Sequence, residues 1–177
     1  MNPIVKQEAS KWGLAMASVS IVFYLLAYMF YLEWFASLAV TSVLFVVNVV
    51  LLVMAIRSVR EQMDGFIEFK DAFTTAFVAN VIASLIGTVV VIFIFNILDP
   101  DAAIAVGDIV LEKSVSMAER FGASDSDLEK MVEGLSTTNQ FAVRNQVRGF
   151  FSGLLFSAAI SAVLAAFLKK NKPVIYE

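Results

Sequence analysis

Four stretches of the chain contain no charged residue: Trp12 to Leu32, Trp34 to Ile56, Ala72 to Leu98 and Gly149 to Leu168, of 21, 23, 27 and 20 residues. A helix rises about 1.5 Å per residue and the hydrocarbon core of a bilayer is about 30 Å thick, so about 20 residues suffice to cross it. Each stretch qualifies, and the third has length to spare for tilt. Lys6 and Lys11 before the first stretch give it the look of a secretory signal. Its apolar run is too long for one, however, and no small-x-small cleavage site precedes Glu33, so it is read as a mature span.

Composition agrees with this reading. At 59% hydrophobic and 16% charged, with a mean hydropathy of +0.80, the chain is more apolar than soluble domains, which average roughly 45 to 50% apolar and 25% charged. The expectation is an all-α polytopic membrane protein, a single membrane domain over residues 1–177 with four transmembrane helices. The absence of Cys and His removes disulfides, thiolate nucleophiles, imidazole bases and the commonest ligands of zinc, haem and iron-sulfur centres. No cofactor or metal is implied. A net charge of -3 without a basic cluster lacks the electrostatic footprint of a nucleic-acid binder.

Lys6, Lys11, Arg57, Arg60, Lys70, Lys169, Lys170 and Lys172 all fall on one side of the four-span topology. The other side has the turn holding Glu33 and a 50-residue segment, Asp99 to Arg148, with five basic and nine acidic residues. By the positive-inside rule both termini are cytoplasmic. Trp12 marks one face of the bilayer, Tyr31 and Trp34 the other.

Outside the spans, the link Arg57 to Asp71 is punctuated by Gly65, and Phe66, Ile67 and Phe69 offer it apolar anchors at the interface. The 50-residue segment is too periodic for disorder. Asp99-Pro100 pairs an N-cap with proline at the first helical position. Val106, Val110, Met117 and Phe121 then recur at helical spacing, with Asp108, Glu112 and Glu119 elsewhere on the wheel. Gly122 is a stop, and Ser126 to Glu129 reads as a capping box opening a second short helix to about Leu135, with a break over Thr137 to Gln140. Such an amphipathic pair binds a partner, lies on the bilayer or caps the bundle. No calcium-loop spacing surrounds Asp125 and Asp127.

No charge occurs within the four stretches, which argues against a proton-coupled carrier working in one protomer. Asn48, Asn80, Ser20 and Ser161 lie eight or nine residues from the nearest cytoplasmic charge, at a common depth of about 13 Å. The expectation is a polar layer in which Asn48 and Asn80 hydrogen-bond across neighbouring helices. Span four also carries Gly149, Gly153, Ser157, Ser161 and Ala165, a small residue at every fourth position, matched by Ala79, Ala83 and Gly87 in span three. Small stripes let helices approach closely in lipid. Packing of span four on span three is expected, with a homodimer through the same stripe as the alternative.

The chain resembles a family of bacterial four-span membrane proteins known as domain of unknown function 4199, over about residues 6–170. The residues that carry the resemblance are Lys11-Trp12-Gly13, the link Gly65-Phe66-Ile67-Glu68-Phe69 leading into Ala72-Phe73, and Asp99-Pro100 closing span three. The acidic helix near Ser126 to Glu133 and the glycine-rich start of span four also fit. The resemblance implies the inner membrane of Gram-negative bacteria and brings no activity, substrate or cofactor.

The functional expectation is therefore a non-enzymatic helical-bundle protein, an interaction or accessory subunit whose partners are the lipid bilayer and a membrane protein or a second copy, and not nucleic acid. The alternative is a small transporter or channel, working as a homo-oligomer. A membrane enzyme would have to assemble its chemistry from carboxylates such as Glu33, Asp99 and Asp101.

Overall fold

The computed structural model describes residues 1–136 and 138–172. Four helices are long and apolar enough to cross a membrane: α1 (Pro3–Phe30), α2 (Leu38–Gln62), α3 (Phe69–Phe93) with the π turn Ile94–Leu98 that continues it, and α6 (Val143–Leu168). Between the third and fourth lie α4 (Pro100–Arg120) and α5 (Asp125–Ser136). Among the described residues there is no strand, only an isolated bridge in which Ile67 and Lys170 exchange backbone hydrogen bonds of 2.9 and 2.8 Å. The chain is an all-α, multi-pass membrane protein.

Most of the helices outrun the charge-free stretches. α1 begins at Pro3 rather than Trp12, α2 runs on to Gln62 and α6 begins at Val143 rather than Gly149. Backbone hydrogen bonding does not stop at the first charge, because long polar side chains extend away from the apolar zone while their helix continues. Elsewhere the helix falls short of the stretch. Trp34 does not start the second span; it sits in a 3-10 turn, Leu32–Ala36. α2 starts at Leu38, where the Ser37 hydroxyl accepts the Val40 N–H at 3.4 Å.

The chain divides into two compact units. The first comprises Met1–Ile21, Leu44–Gly87 and the chain from Phe150 onward. Its core combines bulky residues such as Met16, Leu52 and Ile56 with alanines 72, 76, 79 and 83 of α3. Small residues there bring backbones together. A Cβ on Gly13 would lie 2.9 Å from the Ala79 carbonyl oxygen and 2.9 Å from Ile82 Cβ, so α1 meets α3 with no room for a methyl group. After α2 the chain turns through Asp64 and Gly65, at φ of 58° and 82°, the left-handed region in which glycine is free of Cβ strain. Ile67 is buried in this core and does not anchor the link in the interface. Its backbone bridge to Lys170 turns its side chain inward.

The second unit comprises Val22–Val43 and Thr88–Gly149. Its core is aromatic: Phe95 and Phe141 stack at 4.0 Å between ring centroids, and Phe35 meets both edge-on at 5.1 and 6.3 Å. Asn96 donates to the Phe141 carbonyl at 2.8 Å, fixing the π turn to the approach of α6. α4 packs against that turn and against the 3-10 turn, burying Ala102, Ala103 and Val106. It ends at Arg120, followed by Gly122 at φ 79°. α5 packs against α4. Its start departs from the expected capping box at Ser126. The helix opens at Asp125, and Ser124 precedes it, donating its hydroxyl to Asp127 at 2.6 Å while its carbonyl accepts from Asp127 and Leu128 N–H groups. Ser124 and Ser126 offer the same chemistry two residues apart, so only the backbone path distinguishes them. Of the expected break, Thr137 lies outside the described residues, and Thr138 to Gln140 are not helical.

Candidate functional site

In the first unit, Glu8 gathers several polar contacts, although the charge-free criterion passed it over. Glu8 is only 3% exposed. Its Oε2 accepts from the Ser58 hydroxyl at 2.6 Å, the Trp12 indole N–H at 3.2 Å and Lys11 Nζ at 3.2 Å. Lys11 and Trp12 reach it because residues three and four apart share a helix face. Ser58 comes from α2. Glu8 precedes the charge-free stretch that opens at Trp12, and it lies within α1 because that helix begins at Pro3. A buried carboxylate must be hydrogen-bonded to remain charged, and this one meets a hydroxyl, an indole and an ammonium group. The arrangement clasps α1 to α2. The spacing of Glu8, Lys11 and Trp12 was visible in the sequence; the partner 50 residues away was not.

The polar residues expected to form a layer behave individually. Asn80 donates to Ser157 Oγ at 2.8 Å, joining α3 to α6. Asn48 is half-buried and shares no hydrogen bond with Asn80. Ser20 bonds back to the Met16 carbonyl of its own helix. Ser161 is fully buried, and its hydroxyl has no hydrogen-bond partner among the described residues. Depth along the span does not set the azimuth of a residue on its helix, and azimuth decides which neighbour it meets. The small-residue stripe of α6 likewise divides. Ser157, Ser161 and Ala165 are buried, whereas a Cβ on Gly149 or Gly153 would meet nothing within 4 Å among the described residues.

In the second unit, Asp99 holds the start of α4. Its Oδ1 accepts from Ala102 N–H at 3.0 Å and its Oδ2 from the Tyr28 hydroxyl at 3.0 Å. Asp99 is thus an N-cap and a tether. An open cleft of about 200 Å³ lies between α4, at Gly107 and Leu111, and Leu135 with Asn139 and Gln140. Its polar wall is turned to internal bonding: Asn139 accepts from Phe141 N–H and from Asn145 at 2.9 and 2.8 Å. Among the described residues, no group of three or more Asp or Glu side chains is placed to hold a metal ion.

No curated protein and no solved structure matches the chain. The family model described as Protein of unknown function (DUF4199) matches residues 11–170. That span takes in α1 from Lys11 onward, the other three membrane-length helices, the Glu8 partners Lys11, Trp12 and Ser58, the Asn80 and Ser157 pair, and the α4 and α5 hairpin, and on it the chain belongs to the DUF4199 family of proteins of unknown function.

Proposed function

We propose that this protein is a non-enzymatic interaction or accessory subunit of a bacterial inner membrane, with both termini cytoplasmic and the α4 and α5 hairpin offered to a membrane-protein partner on the opposite side. The observation that carries this reading is the construction of α5. It has no buried residue, it packs against α4, and it displays Asp125, Asp127 and Glu129 to solvent. A helix with so little packing of its own contributes little to the stability of the fold, and its exposed acidic face suits a basic partner surface. The orientation rests on the eight basic residues on the side of the termini.

A second reading, a small transporter or channel working as an oligomer, is favoured by the polar run of Asn80, Ser157 and the buried Ser161 hydroxyl, which has no partner among the described residues. Photoreactive residues at Ser126, Glu129 and Gly153, crosslinked in the native host, separate the two. The accessory reading expects one recurrent protein adduct at Ser126 and Glu129 that is lost when Asp125 and Asp127 are changed to Asn. Self-adducts alone, concentrated at Gly153, would overturn it in favour of the oligomer.

A further inference from the structure

One apolar stripe of α4 has two environments. Ala102, Ala103 and Val106 are buried in a cluster with Val91 and Phe95 near the end of the third membrane-length helix, and Val110, Tyr28 near the end of α1 and Leu32 of the 3-10 turn pack against it. Met117 follows Val106 by eleven residues and Phe121 follows Val110 by eleven, which is about three turns at 3.6 residues per turn, so the four share one line along the helix. Yet Met117 is 41% and Phe121 84% exposed. The face that α4 lays on the bundle runs on past the surface it rests on.

The charges of α4 are sorted around the same line. Asp108, Glu112 and Glu119 each stand two residues after a member of the stripe, which places them about 200° away, on the upper side. Lys113 and Arg120 stand four before and three after Met117 and so share its side of the helix. With Glu112, Ser116 and Met117 they line a shallow open groove. Lys113 Nζ donates to the Glu33 carbonyl of the 3-10 turn at 3.4 Å, so its cation is directed toward the span ends.

We propose that the second half of α4 is an interfacial helix seated on the phospholipid bilayer beside the bundle. Met117 and Phe121 enter the boundary between headgroups and acyl chains. Lys113 and Arg120 meet lipid phosphates, and Asp108 and Glu119 face water. Two observations select lipid as the occupant. The underside continues a face already packed on the ends of membrane-crossing helices, so the surface next to that protein is the bilayer itself. The cations lie on the underside and Asp108 and Glu119 opposite, which complements phosphate below and water above. The net acidity of the 99–148 segment conceals this sorting, because a sum over residues carries no direction. The proposal deepens the function given above and rests on its placement of α4 outside the hydrocarbon core; it assigns the underside to lipid and leaves the acidic side and α5 to a partner.

The chain has no cysteine, so single labelling sites can be introduced into the full-length protein as Met117→Cys, Phe121→Cys and, as upper-face references, Asp108→Cys and Glu119→Cys. All four positions are exposed and carry a nitroxide without disturbing the core. The labelled proteins are reconstituted at high dilution in phosphatidylcholine and phosphatidylglycerol vesicles, and collision with oxygen is compared with collision with a water-soluble nickel chelate. The expected result is an oxygen-to-nickel ratio severalfold higher at Met117 and Phe121 than at Asp108 and Glu119. Equal ratios at all four would overturn the proposal, because the underside would then face water. Protection of Met117 and Phe121 from both agents would also overturn it, showing a protein surface in place of lipid, with dipolar broadening if that surface is a second copy. Only purified protein and lipid are present, so failure here leaves the partner crosslinking result untouched.

Discussion

The Ser58 hydroxyl donates to Glu8 Oε2 at 2.6 Å, a shorter bond than the 2.8 Å one from Asn80 to Ser157, and both join membrane-length helices of the first unit. The acceptor is a carboxylate at 3% exposure, whereas Lys11, its cationic neighbour, is 61% exposed. The buried end of this cluster therefore governs its strength.

Glu8→Ala leaves the Ser58 hydroxyl and the Trp12 indole without their acceptor and is expected to cost about 1 to 3 kcal/mol. Lys11→Ala removes a solvent-screened partner and is expected to cost less than about 1 kcal/mol. Unfolding of the detergent-solubilised protein reads both. A Lys11→Ala loss equal to that of Glu8→Ala would show that the ion pair, and not the buried acceptor, holds the clasp.

Asn80 and Ser157 form a coupled pair. In a double-mutant cycle of Asn80→Leu and Ser157→Ala the coupling energy should be about 0.6 to 2 kcal/mol, as for interhelical hydrogen bonds in other membrane proteins. The parallel cycle of Asn80→Leu with Asn48→Leu should give additive losses, because the two amides share no bond. Additivity in the first cycle would remove Asn80 from the α3 and α6 contact.

Gly13 and Gly153 are both glycines of membrane-length helices with opposite expected tolerance. Gly13→Ala drives a methyl group to 2.9 Å from the Ala79 carbonyl oxygen, and overpacking of this kind costs about 1 to 3 kcal/mol. Gly153→Ala meets open space in one copy of the chain and gains helix propensity. Thermal midpoints in dilute detergent should fall for the first and hold or rise for the second.

Asp99 carries two contacts that substitution separates. Tyr28→Phe removes the tether alone and is expected to destabilise less than loss of the cap does. Asp99→Ala removes the tether and the N-cap of α4, and the cap adds about 0.5 to 2 kcal/mol. Amide exchange in the first turns of α4 should accelerate more in Asp99→Ala than in Tyr28→Phe. Equal exchange in both would mean that the cap contributes nothing to holding α4.

What could be read from the chain alone is whatever depends on composition along a line. Charge-free length yields four crossing helices, since the bilayer thickness is a fixed external ruler. Asp99-Pro100 places the start of α4, because the N-cap and the fixed proline φ act within one turn. Gly122 places its end for the same local reason. The period of Val106, Val110, Met117 and Phe121 yields an amphipathic helix.

What required the tertiary structure is whatever depends on direction around an axis or on a partner far along the chain. Asn48 and Asn80 share a depth and not a bond, and Ser58 finds Glu8 from 50 residues away. Gly13 abuts Ala79 while Gly149 and Gly153 border open space, though all three look alike in sequence. The stripe of α4 is continuous in sequence, but its burial changes between Val110 and Met117 because the surface beneath it ends there. Hydrogen bonds and steric contacts act over a few ångströms, and only the folded chain decides which residues come that close.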